Sequence, residues 1–69
     1  MQRFAINDRL LLRPEEAAEL TGLGRTTIYE LMRSGELRSI NVGRARRIPR
    51  VELERWVSER MEAADDEAA

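Results

Sequence analysis

The chain has 69 residues, 12 basic and 13 acidic for a net charge of −1, and contains neither Cys nor His. That length makes one small domain, able to bury only about 60% of its unfolded surface. No Cys means no disulfide framework and no thiolate metal site, and no His removes the commonest metal ligand and general base. No apolar run is longer than Leu10-Leu11-Leu12, far short of a signal-peptide core or a membrane span. The sequence therefore reads as soluble and cytoplasmic, with no metal and no cofactor.

The small net charge hides a segregation. Residues 24–50 carry seven Arg against Glu30 and Glu36, a net +5, whereas residues 51–69 carry Arg55 and Arg60 against seven carboxylates, a net −5. Such asymmetry points to a nucleic-acid face and an acidic tail. All 12 basic residues are Arg, whose planar fork pairs with phosphate and with guanine edges in a way Lys cannot copy.

In chain order, residues 1–9 read as a loose leading segment in which Phe4 and Ile6 are candidates to tuck against the body. Leu10-Leu11-Leu12 reads as a short extended piece that supplies core, with Leu12 placed to staple the first helix. That helix begins at Pro14, which suits a first helical position because its missing N–H has no partner there. Glu15 and Glu16 follow in the first turn, where the helix dipole favours negative charge. Arg13 falls at the N-cap, where Ser, Thr or Asp would serve better. Ala17, Ala18 and Leu20 make a small apolar face that lets a second helix approach closely. Thr21-Gly22-Leu23-Gly24 is a tight turn, with Gly22 where a positive φ is needed. The second helix starts at Arg25, sets Ile28, Leu31 and Met32 at helical spacing, and is capped by Gly35.

Beyond Gly35 the period changes. Leu37-Arg38-Ser39-Ile40-Asn41-Val42 alternates apolar and polar residues, as a half-buried strand does. Gly43, Arg44 and Ala45 form a tip, Arg46-Arg47-Ile48 returns, and Pro49 ends the strand. Leu37, Ile40, Val42 and Ile48 are expected to dock on the helices, because an isolated hairpin is marginal. From Val51 the chain turns helical, with Leu53, Trp56 and Val57 on one face and Trp56 as core. Residues 62–69 are acidic and alanine-rich, and are expected to fray or be disordered. The folded domain is thus expected over residues 10–61.

An enzyme finds little support. Ser34, Ser39, Ser58 and Tyr29 could act as nucleophiles, but none has an evident base, and no metal-ligand cluster or phosphate loop is present. No catalytic residue is assigned.

Residues 14–35 resemble the helix-turn-helix of DNA-binding proteins: small Ala18 lies four positions before the turn glycine Gly22, and apolar Ile28 and Leu31 lie six and nine after it. With the flanking sequence the resemblance sharpens. Leu11-Leu12-Arg13-Pro14-Glu15-Glu16-Ala17-Ala18, Gly22-Leu23-Gly24-Arg25-Thr26-Thr27-Ile28-Tyr29, Gly35-Glu36-Leu37, Val42-Gly43-Arg44-Ala45-Arg46-Arg47-Ile48-Pro49, then Leu53 and Trp56 look like the excisionase family of small winged-helix proteins, relatives of the MerR-type DNA-binding domain. The family often has Ser or Thr where this chain has Arg13 and Gly24.

The resemblance implies a mainly α winged helix-turn-helix with a small β-hairpin. It places the second helix in the major groove of double-stranded DNA and the hairpin on the adjacent minor groove or backbone. Ile28, Leu31 and Met32 then face inward, leaving Arg25, Thr26, Glu30 and Arg33 outward and Tyr29 at the flank. Arg25 and Thr26 are the candidates for base edges, since Arg pairs with guanine and the Thr methyl packs on thymine. Tyr29 and Arg33 are candidates for phosphates, and Glu30 for a cytosine amino group. On the wing, Arg44 and Arg46 lead, with Arg47 beside them.

The implied role is a recombination directionality factor in a bacterial or phage-infected cell, associated with the nucleoid. It would bind repeated sites cooperatively and bend DNA to favour excision by a tyrosine or serine integrase. Head-to-tail contacts between copies would join the basic middle of one to the acidic end of the next. A small MerR-like transcriptional regulator is the alternative within DNA binding. A protein-interaction module that uses the Arg-rich face is the alternative outside it.

Overall fold

The computed structural model describes residues 8–68, so the expectations for Phe4 and Ile6 fall outside it. Its elements run β1 (Leu11–Leu12), α1 (Pro14–Thr21), α2 (Arg25–Ser34), β2 (Ile40–Val42), β3 (Ala45–Pro49) and α3 (Arg50–Ala68). This is the mainly helical, hairpin-bearing architecture expected of a winged helix-turn-helix.

Local chemistry sets the helix-turn-helix. Arg13 is the N-cap of α1 and Pro14 its first residue. Arg has no acceptor to offer the free N–H groups of the first turn, so the cap works from the other side. The Glu16 carboxylate accepts from the Arg13 backbone N–H at 2.9 Å, which is half of a capping box. The turn that follows needs Gly22, at φ 76°, whose N–H donates to the Ala18 carbonyl at 2.9 Å. Thr21 steadies the same turn: its hydroxyl donates to the Ala17 carbonyl at 2.8 Å and accepts from the Leu23 N–H at 3.3 Å.

The core is a single cluster of Leu12, Ala17, Ala18, Ile28, Met32, Leu37, Ile48 and Leu53, with Leu23, Leu31 and Trp56 at its edge. The small Ala17 and Ala18 let α1 pack on α2. Beneath them lies a three-stranded antiparallel sheet in the order β1-β3-β2. Leu12 pairs with Ile48 across β1 and β3, and both side chains are fully buried. The Arg50 N–H donates to the Leu10 carbonyl at 2.8 Å, continuing this contact into α3. The sequence showed Leu10-Leu11-Leu12 as an extended piece, but not that it makes a third strand. Only Leu12 of the three is core; Leu10 is 76% exposed.

One further expectation is corrected by the register. Ile40 and Val42 do not dock on the helices and are exposed. They lie opposite Arg47 and Ala45, and successive side chains of a strand take opposite faces. Ile48 points into the core, so Arg47 and its partner Ile40 point away from it.

Helix α3 continues without a break to Ala68, through the residues from 62 onward where fraying was expected. Once docking of its first turns has nucleated a helix, extension costs little, and the Ala-rich end contains no Gly or Pro. Ion pairs reinforce the exposed side: Arg55 reaches Glu52 at 3.2 Å and Glu59 at 2.7 Å, and Arg50 reaches Glu54 at 3.4 Å. Trp56 closes the edge of the core. Its indole N–H donates to the Glu36 carboxylate at 2.9 Å, Arg60 lies over its ring with 5.3 Å to the centroid, and Arg60 also pairs with Glu36. Glu36 immediately follows the cap of α2, so this cluster fixes α3 to the base of the hairpin.

Glu16 is the buried charged residue among those described, 5% exposed. Besides the Arg13 N–H it meets the guanidinium groups of Arg9 at 3.4 Å and Arg13 at 3.6 Å. The backbone hydrogen bond first, and then these charges, hold its carboxyl below the ordinary carboxylate range. Its stabilisation is therefore present above the unfolded-state pKa and is lost as pH falls through the lowered folded-state value. Glu16→Ala should cost about 1–3 kcal/mol in chemical denaturation at neutral pH, by stranding the Arg13 N–H and two cations. The stability gap between the wild type and Glu16→Gln should close as the medium is acidified below the ordinary carboxylate range. A gap independent of pH would contradict the ionic cap.

Candidate nucleic-acid interface

The site begins with the face of α2 turned from the core. Ile28 and Met32 are buried, so the helical period brings Arg25, Thr26, Tyr29, Glu30 and Arg33 to one outer face. These five side chains line one shallow, open concavity, and all five are exposed. They are the five singled out from the sequence on this helix. Thr27 is exposed as well. Among the described residues Arg33 forms no ion pair, and so remains available to an external anion.

Arg25 is 69% exposed and its guanidinium lies 3.4 Å from Glu15 of α1. The Tyr29 hydroxyl donates to the same Glu15 oxygen at 3.2 Å. One carboxylate thus ties together the first and second turns of α2 from outside that helix. The Glu15 carboxyl is held below its ordinary range, first by a backbone hydrogen bond and then by the Tyr29 hydroxyl and the charges of Arg25 and Arg13. From local pattern alone Glu15 has only a helix-dipole role. Its partners lie ten and fourteen residues away, and no local pattern announces such a contact.

The wing is the β2–β3 hairpin. Val42 pairs with Ala45, so the tip is Gly43 and Arg44, one residue shorter than expected. Gly43 has φ 63° and no non-glycine among the described residues has positive φ, the arrangement of a type II′ turn with Gly at its first central position. Arg44 is exposed at the tip and, among the described residues, pairs with no carboxylate. Arg46 lies opposite Asn41 and Arg47 opposite Ile40, so these two arginines take opposite faces. The Arg46 Nε donates to the Ser39 hydroxyl at 2.8 Å. Ser39 is a diagonal neighbour on the same face, a relation visible only once the register is known. Arg47 is half-buried and folds back to donate to the Arg46 carbonyl at 2.9 Å.

The other cations of the basic stretch are committed elsewhere. Arg38 lies 3.8 Å from Glu52 and Arg50 lies 3.4 Å from Glu54, both on α3. The positive surface is therefore narrower than the charge count over residues 24–50 suggests, and consists of the outer face of α2 and the hairpin. Among the described residues no group of His, Cys, Asp or Glu is arranged to hold a metal ion, and no helix is long and apolar enough to cross a membrane.

The helix-turn-helix domain family matches residues 11–61, from β1 through the docked part of α3. A protein of Saccharopolyspora erythraea described as "Probable excisionase" is 49% identical over 51 residues, covering 74% of this chain and 52% of the relative. The chain thus matches about half the length of that relative. No solved structure matches the chain.

Proposed function

Because this chain belongs to the helix-turn-helix domain family, a DNA-binding and non-enzymatic family, we propose that it is an excisionase-type directionality factor that grips duplex DNA with α2 and the wing. The observation that carries this reading is the convergence of five polar side chains on the outer face of α2, flanked by an Arg-tipped hairpin. The excisionase description of the relative supports the role.

An α2 of ten residues is about 15 Å long and suits a major groove about 12 Å wide. Arg25 and Thr26 sit at its leading end and read base edges. Tyr29 and Arg33 hold phosphates, and Glu30 accepts from a cytosine amino group. Arg44 at the wing tip and Arg46 beside it reach the neighbouring minor groove or backbone. Arg47 takes the other face of the hairpin and contributes charge at its margin.

A single module of this size buries roughly 600–1,000 Å² on DNA, seldom enough for selectivity alone. Several copies on closely spaced repeats would supply the rest. The distribution of charge favours a head-to-tail contact: the exposed Arg residues of α2 and the wing lie in the basic middle of the chain, while Glu59, Glu62 and Asp65 are exposed along the far half of α3. Such a contact is heterologous and does not close, so it builds a short filament. A row of domains on one side of the duplex would bend it, at a cost of about 1–6 kcal/mol that the added contacts offset. The bend would bring the integrase sites together for excision.

Two expected outcomes check the assignment of contacts and of mechanism. Arg25→Ala should cost about 1–3 kcal/mol on the cognate site and much less on random duplex, whereas Arg44→Ala with Arg46→Ala should weaken both and lower the salt slope by about one unit per lost phosphate contact. Equal losses for Arg25→Ala on both duplexes would place that residue on phosphate. On a multi-repeat site, binding should be cooperative and gel mobility should depend on where the site lies in the fragment. Independent occupancy of straight DNA would instead favour a small transcriptional regulator.

A further inference from the structure

Glu15 projects from α1 onto the DNA-facing side of α2, where a single carboxylate oxygen accepts from Arg25 at 3.4 Å and from Tyr29 at 3.2 Å. The placement follows from the core. Ala17 and Ala18, both buried, bring the axes of α1 and α2 close together. Glu15 lies two residues before Ala17 and so stands over the first turn of its neighbour.

We propose that Glu15 is a specificity-determining residue, which converts Arg25 from a phosphate grip into a reader of base edges. The proposal rests on the DNA-binding reading above.

The physical argument concerns which partner a paired guanidinium prefers. Arg carries five N–H donors, and only one Nη of Arg25 is engaged by Glu15. The remaining donors stay free for the O6 and N7 acceptors of guanine. A guanine edge carries no net charge, so the Glu15 carboxylate repels it far less than it repels a phosphate. A phosphate is anionic, and a carboxylate beside the guanidinium cancels much of the attraction that would draw it there. Arg25 paired with Glu15 therefore loses more on a backbone contact than on a base contact. Tyr29 is held in the same way: its single hydroxyl hydrogen is donated to Glu15, so Tyr29 must give up that bond before it can donate to a phosphate. The contact also fixes Arg25 before DNA arrives, so less side-chain freedom is lost when it docks.

The consequence is a device for discrimination at the cost of general affinity. Random duplex is bound chiefly through phosphates, and there Glu15 weakens binding. On the cognate site Arg25 reaches its base, and Glu15 is neutral or helpful.

The test is a comparison of Glu15→Gln with the wild-type chain, measured by fluorescence anisotropy on a cognate and a random duplex over a range of salt. Glu15→Gln keeps an acceptor for Tyr29 but removes the charge. The ratio of cognate to random affinity should fall about two- to fivefold, the worth of one exposed ion pair. The fall should come from tighter binding to the random duplex, with a salt slope steeper by about one unit there. Glu19→Gln is the control: it lies on the same helix, is exposed, and changes the net charge by the same amount. In an Arg25→Ala background the effect of Glu15→Gln on the ratio should vanish. An equal effect of Glu19→Gln, or a Glu15 effect that survives without Arg25, would overturn the proposal. So would an unchanged ratio in a wild-type protein that binds its site, whereas a wild type that binds no duplex at any salt would bring down the DNA-binding reading with it.

Discussion

The close packing of α1 on α2 through Ala17 and Ala18 is the contact on which the rest of this small protein depends. Larger side chains there would separate the helices, and the shallow core has few other residues to compensate. With the helices held close, Ile28 and Met32 fix the roll of α2 about its axis. That roll decides which five side chains face outward. It also decides that Glu15, on the neighbouring helix, meets Arg25 and Tyr29. Gly22 makes the arrangement continuous, because its left-handed backbone lets three residues reverse the chain between the helices.

The sheet performs the second task, which is to set the wing relative to α2. A two-stranded hairpin alone would be marginal. Here β3 is held on both sides, by β2 and by the two residues of β1. The buried Leu12–Ile48 pair joins the wing to the segment that leads into α1, so α2 and the wing share one core. On the other flank, the contacts of Glu36 with Trp56 and Arg60 hold α3 against the hairpin base. The exposed ion pairs of α3 are of the kind worth little individually. They reinforce the exposed side of a helix whose far half carries the exposed Glu59, Glu62 and Asp65.

Much of this was legible in the sequence because it is local. The helix-turn-helix follows from Pro14, the paired alanines, Gly22 and the spacing of Ile28 and Met32. The outer face of α2 follows from the same period, and the wing tip from Gly43 and the arginines around it. What escaped is long-range or depends on register. The β1–β3 pairing joins two residues to a partner thirty-six positions on, between Leu12 and Ile48. The exposure of Ile40 and Val42 depends on which face Arg47 takes, and alternation alone permits either choice. The length of α3 was underread because an acidic, alanine-rich end resembles a disordered tail in composition, although alanine extends a helix once one is nucleated. Glu15 was underread because its dipole role is a sufficient local explanation for an acidic first turn.

On the proposed reading one face, built from α2 and the wing, meets DNA while the α3 side does not. Amide chemical shifts in the uniformly labelled protein, followed during titration with a cognate duplex, test this most directly. Shifts should concentrate in residues 25–33 and 43–47, with the Arg55 and Arg60 region of α3 little changed. Shifts centred on residues 50–60, with α2 and the wing unperturbed, would contradict it.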